Sequence, residues 1–169
     1  MPYAINFQPS TLPIGRGPYP MVRAILEGHP VWGVTCHRVE REFDSGTILA
    51  QHTFPMSTDE CHESLDLKVQ MAARHLAGSV AHNFKALWEN AMPQGCGSYW
   101  GRWTEADRTL DFSKRVEELM RQVRAFGLIE TLAKVNDVTL HVRHATGWAQ
   151  PHNLSMGTVA YVNGRRIVV

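Results

Sequence analysis

Tyr3-Ala4-Ile5-Asn6-Phe7-Gln8-Pro9-Ser10-Thr11-Leu12-Pro13, followed by Arg16-Gly17, is the stretch on which the reading of this chain turns. Its first five residues form a short apolar run of strand type. From Pro9 to Pro20, four prolines and two glycines then forbid regular structure, because proline lacks the N–H that a ladder or helix interior requires. A strand therefore delivers Asn6 to the lip of a loop.

Working outward, Met21, Ala24 and Ile25 stand at helical spacing and stop at Gly28, a residue suited to the left-handed end of a helix. Residues 31–39 read as a second strand. Val34 and Cys36 face one way there and Thr35 and His37 the other, which predicts an apolar side on a core and a polar side on a cleft. Residues 40–46 form a charged turn containing Asp44, and residues 47–54 are the next strand. A capping box from Ser57 to Glu60 opens a long helix through Leu65, Val69, Ala72, Leu76, Val80, Phe84 and Leu87. Pro93 to Arg108 is rich in Gly and aromatics without a period. Val116, Leu119, Met120, Val123 and Phe126 mark a second amphipathic helix closed by Gly127, and residues 138–143 and 158–162 are strand-like. Asn163-Gly164 then signals a hairpin into residues 165–169.

The 169 residues allow one domain, or one and part of a second, with a real core. With 17 Lys and Arg against 16 Asp and Glu, no charge excess points to nucleic acid or a membrane surface. Cys36, Cys61 and Cys96 are odd in number and lack a C-x-x-C spacing, so neither a disulfide framework nor a zinc knuckle is expected. Met1 leads into Pro2-Tyr3-Ala4-Ile5 and not into a basic leader, and no apolar run reaches the roughly 20 residues of a membrane helix. The expectation is a cytoplasmic protein.

Taken in order, Asn6, Pro9-Ser10, Leu12-Pro13, Arg16-Gly17, Gly33-Val34-Thr35 and Asp44-x-Gly46 resemble the active-site strand and loop of the folate-dependent formyltransferases, the family of the methionyl-tRNA, glycinamide ribonucleotide and sugar N-formyltransferases. Each residue alone has a plainer reading, since an Asn at a strand end is commonly a turn former and a strand His a satisfied polar group. The ordered run carries the resemblance. It implies an α/β class: the C-terminal part of a Rossmann-like parallel-sheet catalytic domain over residues 1–91, a linker over 92–110, and a partial, barrel-like β domain with a leading helix over 111–169. It further implies that about 60–100 residues of βαβ units stand ahead of Met1 in a complete protein, at roughly 30 residues each.

The implied reaction moves a formyl group from 10-formyltetrahydrofolate to an amine. In the family an Asn holds the formyl oxygen, a His two residues on handles the proton, and a distant Asp tunes that His. The resemblance carries these roles onto Asn6, Gln8 and Asp44, with Glu42, Phe43 and Asp44 against the folate donor. A Gln amide cannot relay a proton at neutral pH, so transfer is expected to be impaired, and His37 is the titratable group that could substitute. The alternative is a non-catalytic relative that binds a folate or a partner protein. No metal is expected, because His141 and His144 would point to opposite faces of a strand. The acceptor amine is open, and nucleic acid enters only if that acceptor is a tRNA. Sheets left open at both ends imply a homo-oligomer or a partner chain.

Overall fold

In the computed structural model, which describes residues 3–169, β1 (Ile5–Gln8) and β2 (Val31–Arg38) pair antiparallel, with Asn6 opposite His37 and Gln8 opposite Thr35. β3 (Ile48–Pro55) pairs antiparallel with the other edge of β2, giving the order β1-β2-β3. Met1 and Pro2, on which the reading of the N-terminus rested, lie outside the described residues.

The expected parallel sheet is corrected by this topology. β2 and β3 are joined by residues 39–47 alone, whereas a parallel return needs about a dozen residues or more. The helix between β1 and β2 is not a crossover either, because the two strands are adjacent and antiparallel. That helix, α1 (Pro20–Glu27), carries Pro20 in its first turn and ends at Gly28, whose φ of 67° is the left-handed conformation glycine adopts without strain.

α2 (His62–Glu89) buries Leu65, Val69, Ala72, Leu76 and Val80 and packs on β2 and β3. Full burial of each Leu or Val contributes about 1.5–3 kcal/mol, so this stripe holds the helix on the sheet. The ring of His75 from α2 lies 4.8 Å from that of His52, the register partner of Val34. The helix starts later than its sequence suggests. Ser57 and Glu60 do bond reciprocally, Ser57 N–H donating to Glu60 Oε2 at 3.2 Å and Glu60 N–H to Ser57 O at 3.2 Å, but they close a separate turn and Cys61 is the N-cap. The buried Glu60 carboxylate also accepts from Ser64 Oγ and, at 2.5 Å, from Lys68 Nζ.

The second face of β2 differs from the expected open cleft. Thr35 and His37 are as buried as Val34 and Cys36. The Thr35 hydroxyl donates to Ser10 O at 2.7 Å and accepts from Leu12 N–H at 3.1 Å and Gln51 Nε2 at 2.7 Å. The proline-bearing loop is thus laid across the sheet and satisfied by it, as a buried loop backbone must be.

The chain divides into two compact units, up to Arg102 and from Trp103 onward. Residues 92–100 belong to the first. Met92 and Ile48 exchange both backbone hydrogen bonds, at 2.8 and 2.9 Å, and Trp100 stacks on Trp32 with ring centroids 5.9 Å apart. In the second unit a short α3 (Glu105–Arg108) precedes α4 (Val116–Phe126), which packs Leu119 and Val123 against Leu110, Ala133 and Val135. β4 (Thr131–Val135), which the sequence reading did not separate, forms a ribbon with β5 (Val138–Val142) through a turn with Asn136 at φ 51°. β6 (Tyr161–Asn163) and β7 (Arg166–Val168) make the expected hairpin. Among the described residues these are two separate two-stranded sheets and not a barrel. None of the described helices is long and apolar enough to cross a membrane.

Candidate active site

The antiparallel register does what the primary structure does not reveal: it sets Asn6 and His37 side by side from residues 31 apart. Asn6 Nδ2 lies 3.1 Å from His37 Nε2, and His37 Nδ1 lies 2.7 Å from the carbonyl oxygen of Arg38. A carbonyl can only accept, so the ring hydrogen is assigned to Nδ1, and Nε2 presents its lone pair to the Asn6 amide. Asp44 completes the group, its Oδ1 3.7 Å from His37 Nε2. The imidazole is sealed at 2% exposure, while Asp44 keeps 15% of its side chain in contact with solvent and Asn6 is half-buried. The arrangement is a lone pair shielded behind one carboxylate and one amide donor.

Gln8 stands on the same face, opposite Thr35, but its amide is committed elsewhere. Nε2 donates to Gly15 O at 3.2 Å and to Gly17 O at 3.1 Å. Gly17 in turn donates its N–H to Asp44 Oδ2 at 2.8 Å. A hydrogen-bonded chain therefore runs from Gln8 through Gly17 and Asp44 toward His37 and Asn6. Gly17 is required at this point: its φ is 98°, and a Cβ there would stand 2.3 Å from the carbonyl oxygen of Trp100.

Of the expected site residues, Asn6, His37 and Asp44 come together directly and Gln8 joins through Gly17. Glu42 and Phe43 do not enter this group. Phe43 is 81% exposed, and Glu42 gives its backbone carbonyl to Ser45 Oγ at 3.0 Å. Both belong to the exposed bend that leads into Asp44, which itself adopts φ 55°. Cys36, next to His37, is excluded as a nucleophile at neutral pH, because burial pushes its thiol up to about 11 and the thiolate is the reactive form.

Two contributors escaped the sequence reading. Gly17 was quoted there as part of a motif, with no sign that its N–H would hold a carboxylate. Gln94, taken as linker, donates to Asp44 O at 2.8 Å and Gly46 O at 2.7 Å. No local signal marks either, since their partners are 27 and 48–50 residues away.

Residues 2–80 match the family described as formyl transferase. Over 124 residues the chain is 35% identical to a methionyl-tRNA formyltransferase of Treponema denticola, a match covering 72% of this chain and 38% of that protein. Over 161 residues it is 31% identical to a methionyl-tRNA formyltransferase of Janthinobacterium sp., covering 94% of this chain and 51% of that protein. The chain thus spans about half, or less, of the length of these curated relatives. In fold it is similar to a variant of HypX from Aquifex aeolicus, with a TM-score of 0.83 at 21% identity over 98% of this chain and 30% of that one. A structure of HypX in complex with tetrahydrofolic acid matches with a TM-score of 0.67 at 25% identity, covering 78% and 23% of the two chains.

Proposed function

The chain belongs to the folate-dependent formyltransferase family, and we propose that its first unit carries the acid–base centre for moving a formyl group from a 10-formyltetrahydrofolate donor to an amine. The observation that carries this reading is the placement of His37 Nε2 with its lone pair 3.1 Å from the Asn6 amide and 3.7 Å from Asp44. The residues present fit such a donor. An Asn amide has two N–H groups and His37 takes one, and the exposed Phe43 ring beside Asp44 offers an apolar face to a planar heterocycle. The tetrahydrofolate complex of HypX supports the same donor class. When bound, the donor supplies the activated one-carbon acyl group.

The chain's own residues would then act as follows. The second N–H of Asn6 donates to the formyl oxygen, a contact that strengthens as negative charge develops there. His37 Nε2, on giving up its hydrogen bond from Asn6 Nδ2, takes the proton released by the amine through one water at Asp44 Oδ1, within the one-water reach that general bases use, and returns it by the same water to the donor nitrogen as the bond from that nitrogen to the formyl carbon breaks. Asp44 stabilises the imidazolium that results. Gln8 shapes the Gly15–Gly17 turn and takes no proton, so the relay lies across the sheet from the motif's usual position.

The test is formyl transfer with 10-formyltetrahydrofolate and, as first acceptor, methionyl-tRNA, the substrate in the names of the curated relatives. His37→Asn is expected to lower the transfer rate about 10²–10⁴-fold, the usual contribution of a positioned base. An unaltered rate in a folded variant removes His37 from the mechanism.

A further inference from the structure

Gln94 sits in a segment without secondary structure whose neighbours Met92, Pro93, Gly95, Cys96 and Gly97 are all exposed, yet its own side chain turns inward and uses both its donor hydrogens and its acceptor oxygen. Both Nε2 hydrogens go to carbonyls of the Asp44 bend, those of Asp44 and Gly46. Its Oε1 accepts from Arg16 Nε at 2.9 Å, and Arg16 Nη2 reaches the next carbonyl, Gly95 O, at 3.3 Å. One amide thus ties the loop that carries Asp44 to the loop that carries Gly17, the donor to the Asp44 carboxylate.

The bend needs such a tie. Residues 40–43 are exposed, and Asp44 holds a left-handed backbone at φ 55°, a conformation uncommon outside glycine though one that Asp adopts more readily than most residues. Gly46, two residues on, is pressed against Arg38, where a Cβ would meet the carbonyl oxygen at 1.9 Å. Between these points the only side-chain donor on the backbone carbonyls of Asp44 and Gly46 among the described contacts is Gln94. The segment that presents it is itself pinned. Ser98 N–H donates to Pro13 O at 3.1 Å, Arg16 N–H to Ser98 O at 3.0 Å, Gly15 N–H to Ser98 Oγ at 3.1 Å, and Trp100 N–H to Arg16 O at 2.7 Å. Segment 94–100 therefore runs along the Gly15–Gly17 loop as a splint.

We propose that Gln94 is the positioning residue for Asp44, setting the carboxylate against His37 Nε2 by clamping the backbone carbonyls of Asp44 and of Gly46, two residues on. In catalysis this deepens, and rests on, the reading of His37 and Asp44 as the proton-handling pair. The clamp itself is a property of the folded chain. The argument turns on direction as well as distance: Asp44 Oδ2 is held by Gly17 and Oδ1 by nothing stronger than the 3.7 Å approach to His37, so the backbone orientation of Asp44 decides where Oδ1 points.

The test adds three substitutions in the full chain to His37→Asn and uses two readouts. Gln94→Ala removes the clamp. Gln94→Glu keeps an acceptor for Arg16 but sets a carboxylate without donors against two carbonyls. Asp44→Asn serves as the background. The first readout is amide exchange by NMR: Gly17 N–H should exchange about 10-fold faster in Gln94→Ala and Gln94→Glu, as expected when a charge-assisted hydrogen bond is loosened, while Val34 and Leu76 stay protected. Unchanged Gly17 exchange overturns the clamp whatever the chain's activity. The second is formyl transfer. Gln94→Ala should lower kcat by about 10²-fold at unaltered KM, the scale of a small misplacement in a reacting group, and should add nothing in the Asp44→Asn background, where there is no carboxylate to place. Equal losses in both backgrounds would mean a merely structural role and refute positioning. If Asp44→Asn and His37→Asn themselves leave transfer intact, the reading of His37 and Asp44 as the proton-handling pair fails, and the exchange result still decides the clamp.

Discussion

Replacing Gln8 by His discriminates between a motif read by position and a site read by geometry. By position, Gln8→His completes the family's Asn-x-His pair and should raise activity. By geometry, it removes an amide whose two hydrogens reach Gly15 O at 3.2 Å and Gly17 O at 3.1 Å from a side chain only 7% exposed. A neutral imidazole offers a single N–H, so at least one of the two carbonyls loses its donor. A protonated one offers two, but they diverge, and the charge would have to be buried. A buried acceptor left unsatisfied costs about 1–3 kcal/mol, a factor of roughly 5–150 in the folded-to-unfolded ratio. With a urea m-value of about 1–3 kcal/mol/M for a domain of this size, the unfolding midpoint should fall by about 1 M. The assay is urea unfolding of the full chain followed by fluorescence of its tryptophans, of which Trp32 and Trp100 lie buried within the first unit. Formyl transfer by the same variant should not rise. A Gln8→His protein with the parent's midpoint and a higher transfer rate would refute the scaffold role of Gln8 and restore the positional reading.

Glu60 supports a pH prediction. Burial on its own would raise its carboxyl, but the hydrogen bonds from Lys68, Ser64 and the Ser57 N–H outweigh burial and hold it below the ordinary 4.5. A carboxyl depressed in the folded state contributes stability above its unfolded value and loses it as pH falls through the folded value. Thermal unfolding should therefore show Glu60→Gln less stable than the parent at pH 7, with the gap closing toward pH 3; a gap independent of pH would show that the charge is not what stabilises. For assembly, β1 has a strand on one edge only among the described residues, and Ile167 and Val169 stay 47% and 41% exposed. Unpaired strand edges favour association, so light scattering of the purified chain is expected to give a dimer or larger species, and a concentration-independent monomer would contradict this.

Much of the local structure was legible in the primary sequence because it depends on residues a few positions apart. Pro20 and Gly28 bracket α1, the three-and-four spacing from Leu65 to Val80 defines the buried stripe of α2, Gly127 closes α4, and Asn163-Gly164 turns the last hairpin. Asn6 and Asp44, 38 residues apart, were picked out as a pair only through the family resemblance of the segments that carry them. β4 was not separated, although Leu132, Ala133 and Val135 are buried, because its five residues are too few to show a period between the helical turn before them and the Asn136 turn after them.

What only the tertiary structure decided are the pairings between distant residues. Strand direction followed from how neighbouring strands are joined, and it replaced the parallel sheet by an antiparallel one. The register between β1 and β2 then brought His37 to Asn6; a one-residue slip would have turned His37 to the opposite face. The partners of Gln8, Gly17 and Gln94 lie in segments that meet only after the loop is laid over Thr35 and residues 94–100 are laid beside it. Composition states which groups can donate or accept a hydrogen bond. Which of them meet is settled by the packing of the backbone, and for this chain that packing joins His37 to Asn6 and commits Gln8 to the loop.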